Sequence, residues 1–340
     1  MAKPDEQAKA GVANLVRNCA EVSSSDTIVV ASDETRVESD VIPLIVEAIQ
    51  MSGGKATTVY FNPDDKKSTE HAVAAARGAD KLILSAMSVA PFLNLGGGQH
   101  PRLIVCNFFH SLTDFATAHA SFHWQIANEI YRTVERMFVA GSNWRIVTPT
   151  GTNLSGIIGD RSARSSYLED ETPEYVRYFN SRAYCPVAAD AAVGTIACQF
   201  THGPRRTPCI PPPILIFEDN DLKEITGPDD ARGWIRELQS GWDDVLSRFG
   251  EAGRALDSWH GGANPKAELA PTLLGNGSTR NMHFHIGRTT GRSGDYISAE
   301  ISDYSLWVNE RCIFDRGRLA ILNDAPILAA FDRFGLRVPV

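Results

Sequence analysis

Four short apolar runs, each set off from the next by a helical pattern, occupy the first 110 residues: DTIVVASD (Asp26–Asp33), KATTVYF, KLILSA and PRLIVCNFF. Runs this short and this continuously apolar fit strands that are buried on both faces, as in a parallel sheet. Parallel neighbours need a crossover between them, and the intervening segments supply one each. DEQAKAGVANLVRNCAEV, ESDVIPLIVEAIQMSGG and KSTEHAVAAARGAD all carry helical spacing, the last with Ser68 as an expected N-cap. This alternation requires an α/β N-terminal domain, a mostly parallel sheet with flanking helices.

A long helical pattern follows, TDFATAHASFHWQIANEIYRTVERMFVAG, and then the texture changes. From NWRIVTPTGTNLSGIIG onward, strand patterns, turn residues and proline clusters such as GPRRTPCIPPPILIFED dominate. One helix interrupts them, with Trp234, Leu238, Trp242, Val245 and Phe249 at helical spacing. These features predict two domains, 1–145 and 146–340, the second α+β, β-rich and mainly antiparallel.

Charge and cysteine usage narrow the function. The net charge is −8 with no dense Lys/Arg run, which argues against nucleic-acid or anionic-membrane partners. The six cysteines are scattered with no C-x-x-C pair, the pattern of reduced thiols in a cytoplasmic protein. No apolar run approaches the roughly 18–20 residues of a membrane span, and the polar start MAKPDEQAKAGVANL has no leader-like apolar core.

Three histidine groupings stand out among the nine histidines. His119 and His123 in HASFH lie at i and i+4 of the expected helix, a spacing that can clamp a metal. Their apolar neighbours and the absent acidic residue favour a packing role. LGGGQHP (Leu95–Pro101) has glycines that could cradle a phosphate, but no P-loop lysine, and reads as a connection. The third grouping is C-terminal. In NMHFHIG, His283 and His285 share one side of a strand while Met282, Phe284 and Ile286 face a core. His260 precedes them and Glu300 and Asp303 follow. Two imidazoles and one carboxylate on adjacent strands can hold a divalent ion and leave positions open for substrate.

The segments HGGANPKAE, MHFHIGR and ISDYSLWVNERCIFDRG resemble the C-terminal end of the thermophilic aminopeptidase (aminopeptidase T) superfamily, most of all its 2,5-dihydroxypyridine 5,6-dioxygenase branch. TPTGTNLSGIIG and SRAYCPVAADAAVGTIA look like its opening strand and central strand pair. The resemblance implies an α/β domain followed by a β-rich metal domain. It also exposes departures. A family glutamate is missing near Ala188–Asp190, and a His-x-Asp ligand pair reads Ile301-Ser302-Asp303. A two-metal peptidase centre therefore lacks donors.

What the resemblance leaves is a mononuclear set, His260, His283 and Asp303, suited to Fe(II), with His285 as substitute donor if the strand register differs. The implied activity is ring cleavage of a small hydroxylated aromatic or N-heteroaromatic compound with dioxygen. His285, then His110, would move the substrate proton. Arg288 and Arg292 would hold a ring carboxylate, and Trp259 and Tyr304 would flank the ring. The alternatives are a metal-dependent hydrolase with Zn or another divalent ion, and a metal-free enzyme in which His283, His285 and Asp303 act as acid, base and orienter. A homo-oligomer is expected, with PFLNLGGG as a lid that a neighbouring chain completes.

Overall fold

The computed structural model describes residues 4–87, 89–93, 101–160, 174–179, 182–201, 206–270, 272–287 and 295–339. The chain divides into two compact units, Met1–Asn128 with Asp170–Asn180, and Glu129–Glu169 with Ser181–Val340. The division thus falls earlier than 145, and a later segment returns to the first unit.

The first unit is the expected parallel sheet. Its strands are β1 (Thr27–Asp33), β2 (Lys55–Phe61), β3 (Lys81–Ser85) and β4 (Arg102–Val105). β5 (Asn143–Val147) and β6 (Asn153–Ile157) belong to the second unit, and β7 (Tyr175–Arg177) completes the first. The order is β2-β1-β3-β4-β7, and every pairing is parallel. One side of the sheet buries Val29, Ala31, Leu82, Leu84, Leu103 and Val105 against Ala72, Ala76 and Phe92. The helices are α1 (Pro4–Ala13), α2 (Val41–Met51), α3 (Lys66–Ala76) and α4 (Ala90–Leu93). Asp65 rather than Ser68 caps α3, accepting from the Lys67 N–H. Ser68 Oγ instead accepts from the Asn62 N–H at 3.0 Å.

The long helical pattern breaks into α5 (Leu112–Phe115), α6 (Ala118–Ser121) and α7 (Trp124–Arg136). Caps explain the breaks. Ser111 and Asp114 form a reciprocal capping box, and the Thr117 side chain accepts from the Ala120 N–H. His119 therefore sits in α6, and His123 between α6 and α7, so the two do not share one helix face.

The second unit is built on two antiparallel sheets. Its remaining strands are β8 (Arg182–Pro186), β9 (Val193–Ala197), β10 (Phe200–Thr201), β11 (Thr207–Pro208), β12 (Ile214–Glu218) and β13 (Asp221–Thr226). After α8 (Arg232–Phe249) come β14 (Leu256–Gly262), β15 (Asn281–Gly287), β16 (Tyr296–Ser302), β17 (Ser305–Val308), β18 (Arg311–Asp315) and β19 (Arg318–Leu319). α9 (Ala325–Arg333) follows. The eight-stranded sheet runs β13-β12-β9-β6-β5-β17-β18-β19 and the six-stranded sheet β11-β10-β16-β15-β14-β8. Leu238, Trp242 and Val245 of α8 are buried, as their spacing predicts. No helix among the described residues is long and apolar enough to cross a membrane.

Candidate metal centre

The six-stranded sheet has two unlike faces, and strand alternation makes them so. In β15, Met282, Phe284 and Ile286 are fully buried on one face. That face also holds Trp259, which meets Phe138 and Trp144 edge-on with ring centroids 5.0 and 5.9 Å away. Asn281, His283 and His285 must then point to the other face.

On that second face the register aligns side chains into a row. Tyr184 of β8 opposes His260 of β14, His260 opposes His283 of β15, His283 opposes Glu300 of β16, and Glu300 opposes Phe200 of β10. Directly opposed residues of antiparallel strands bring their Cβ atoms to about 4.5–5.5 Å. One step along, Ser258 opposes His285, which opposes Ser298.

The three imidazoles converge. One ring nitrogen from each of His260, His283 and His285 lies within 4.8 Å of the other two. His260 and His283 stack, 4.7 Å apart and 9° from parallel, and His285 sits 4.6 and 5.0 Å from them. All three are buried, and so are the Nε2 atoms of His260 and His283. Two tyrosines flank the group. Tyr296 lies 4.1 Å from the His285 ring, and Tyr184 meets His260 edge-on at 4.8 Å. Ser258 Oγ is 3.5 Å from His285 Nδ1 and 3.2 Å from Asp257 Oδ2, a weak tether from the ring to a carboxylate.

The donor set fits a divalent ion of the transition series. Nitrogens bound at about 2.1 Å to one tetrahedral ion stand about 3.4 Å apart, so closing the group asks for shifts of about 1 Å at the ring edges. Imidazole suits Zn, Fe, Cu and Ni alike, and three imidazoles leave a coordination position open.

The structure places the expected site residues as follows. His260, His283 and His285 gather as described, so His285 stands among the donors rather than beside them. Asp303 does not join them. It lies beyond the end of β16 at a φ of 54°, and both its oxygens accept from Arg280, at 2.6 and 3.0 Å. The physical reason is register. Ile301 opposes Met282 and therefore lies on the apolar face, so the carboxylate sharing the histidine face is Glu300. Trp259 is wholly buried on the opposite face, away from any ring that the histidines would meet. Tyr304 is likewise fully buried, packs on Phe314 at 5.2 Å, and has its phenol pKa pushed up by burial. Its hydroxyl occupies the space where a side chain at Gly261 would begin, 2.7 Å from a Cβ built there. His110 follows β4 in the first unit, where burial lowers its pKa against the pull of Asp114. Arg288, Arg292 and most of LGGGQHP lie outside the described residues.

Two further residues matter here, Glu300, named in the sequence beside Asp303 but not chosen, and Arg206, not singled out at all. Glu300 is fully buried between Ala299 and Ile301, and its Oε2 accepts from Arg206 Nε at 2.5 Å. A glutamate flanked by apolar residues inside a strand was the available signal, because a carboxylate there needs a buried cation. Arg206, in the proline-rich GPRRTPC segment, gives no such signal of its own.

No family model and no curated protein matches this chain. Solved structures do. 2,5-Dihydroxypyridine dioxygenase from Pseudomonas putida KT2440 superposes with a TM-score of 0.64 at 11% identity, covering 94% of this chain and 98% of that one. Wild-type AmpT from Thermus thermophilus gives a TM-score of 0.55 at 11% identity, covering 93% and 99%. At that identity the likeness establishes a shared fold over nearly the whole chain.

Proposed function

We propose that this chain is a metalloenzyme that holds one divalent ion on His260, His283 and His285 and works as a mononuclear Fe(II) dioxygenase, opening a small hydroxylated aromatic or N-heteroaromatic ring. The convergence of ring nitrogens from three buried histidines within 4.8 Å carries the metal part of the reading. The likeness to a dihydroxypyridine dioxygenase supports the choice of reaction. When bound, the ion would lower the pKa of a substrate hydroxyl and supply the redox chemistry that dioxygen requires.

The chain's own residues do the rest. The tight stacking of His260 on His283 fixes two donors against each other. Ser258 restrains the third by its contact with His285 Nδ1. Tyr296 and Tyr184 offer aromatic walls for a flat substrate. Burial of the donors excludes bulk water, which strengthens every charge interaction at the site.

The test is iron analysis of protein purified without oxygen, followed by oxygen uptake with hydroxypyridines and hydroxybenzoates. One iron per chain and substrate-dependent oxygen consumption are expected. Among the described residues the donor group holds imidazoles and no carboxylate, which favours a second reading, a zinc-type hydrolase, since three imidazoles and a water suffice for that chemistry. Amide or peptide cleavage with no oxygen uptake would select it over the first.

A further inference from the structure

The row Tyr184–His260–His283–Glu300–Phe200 puts a carboxylate on the strand next to the donors, and yet that carboxylate is turned to a cation. Glu300 and Arg206 side chains are 0% and 3% exposed, and Nε meets Oε2 at 2.5 Å. Arg206 is itself held from several sides. Its Nη2 donates to Asn281 Oδ1 at 2.5 Å, and Asn281 Nδ2 donates to Asn276 Oδ1 at 3.0 Å. The guanidinium lies 4.5 Å over the Phe200 ring, and Nη1 reaches the Ala270 carbonyl at 3.5 Å.

A buried ion pair of this kind gains little stability over an apolar pair of similar volume, because both charges lose their hydration. Its place in the donor row gives it a different use. Asp295 and Asp303 are also engaged by cations, at 3.1 Å from Arg248 and by Arg280, and Asp257 reaches the His285 ring only through Ser258 Oγ. A dication on three neutral imidazoles would then keep its full charge.

We propose that Arg206 sets the charge of this site: by engaging Glu300 it keeps the donor set at three neutral imidazoles, and the site therefore selects a substrate or co-ligand that arrives as an anion. The proposal rests on the metal reading above. It names the substrate class as one with an anionic oxygen or nitrogen donor, such as a phenolate or a carboxylate. Arg206 acts here as a positioning residue, through Glu300.

Cobalt(II) and azide test it without any turnover. The chain is stripped of metal, loaded with Co(II), and titrated with azide while the visible absorption is followed. Wild type is expected to take up one Co(II) and to bind azide. Arg206→Met releases Glu300 toward the ion, so the Co(II) spectrum changes and azide affinity falls about 10-fold or more, the size of effect that one charge at 4–6 Å produces. The double variant Arg206→Met with Glu300→Gln removes both charges and restores the wild-type spectrum and affinity.

Failure of the two readings looks different. Wild type that takes up no more Co(II) than His260→Ala removes the metal site itself. Wild type that binds Co(II) and azide, with Arg206→Met indistinguishable from it, removes only the role of Arg206. Should Arg206→Met fail to fold, Glu300→Gln alone decides. Retained Co(II) with an unchanged spectrum and tighter azide binding supports the proposal; lost Co(II) makes Glu300 a ligand and overturns it.

Discussion

His119 in the first unit and the trio His260, His283 and His285 in the second are buried alike, at 4% against 7%, 1% and 6% exposure, but their neighbours differ. His119 meets the rings of Phe109 and Phe179 at 5.4 and 4.7 Å, and neither of its ring nitrogens has a hydrogen-bond partner among the described residues. Burial alone pushes its pKa down to about 3, so it serves as a neutral ring in an aromatic box. The trio instead shares its space with other imidazoles, a serine, and a row that continues into Glu300. Burial makes a histidine neutral; only convergence gives it something to bind.

Substitution can break this contrast. The largest expected effect is on metal retention. His283→Ala should lose the ion after dialysis against a weak chelator, while His119→Leu should keep it; equal retention in both would erase the distinction. Next in size is the apolar back of the same sheet. Trp259→Ala should destabilise the fold by about 3–5 kcal/mol in urea unfolding, as large aromatic truncations do. A small cost with lost substrate affinity would instead return Trp259 to the binding face.

His119→Phe sharpens the comparison through pH. His119 stays neutral in the folded chain to about pH 3, whereas the unfolded chain protonates it below 6.5. Its neutral burial therefore contributes fully above 6.5 and is lost as pH falls toward 3, at up to about 1.4 kcal/mol per pH unit. Thermal melts of wild type should show that extra slope, and the variant should lack it. The smallest effect belongs to Asp303. Asp303→Asn breaks a half-exposed ion pair with Arg280, which costs less than about 1 kcal/mol, and should leave metal affinity unchanged. Loss of the ion in that variant would bring Asp303 back among the ligands.

The fold was legible where the pattern was dense. Ile28–Ala31, Leu82–Leu84 and Leu103–Val105 read as doubly buried strands and are so. β7 was not legible, because Tyr175–Arg177 is three residues long and joins β4 across a wide gap in sequence. The break of 112–136 into three helices turns on Ser111 and Thr117 capping in place, a choice that tertiary context makes. At the site, alternation in NMHFHIG placed both histidines correctly on one face, opposite Met282, Phe284 and Ile286. The carboxylate was misjudged, Asp303 being chosen over Glu300. Family likeness pointed at Ile301 and Asp303, whereas cross-strand register, which no single strand's sequence contains, puts Glu300 beside His283.

β14 also carries a register shift between Leu256 and Ser258: Leu256 opposes Ile286, while Ser258 opposes His285. Asp257 is the extra residue, and it inverts the strand's phase. Upstream of it, even-numbered Leu256 goes with the core; downstream, even-numbered Ser258 and His260 go with the imidazoles. The strand thus reads in two frames with one punctuation mark. Length changes in the lead-in from α8 can be absorbed before that mark, whereas removing Asp257 would force one side of it out of frame, turning either Leu256 onto the histidine face or His260 away from it.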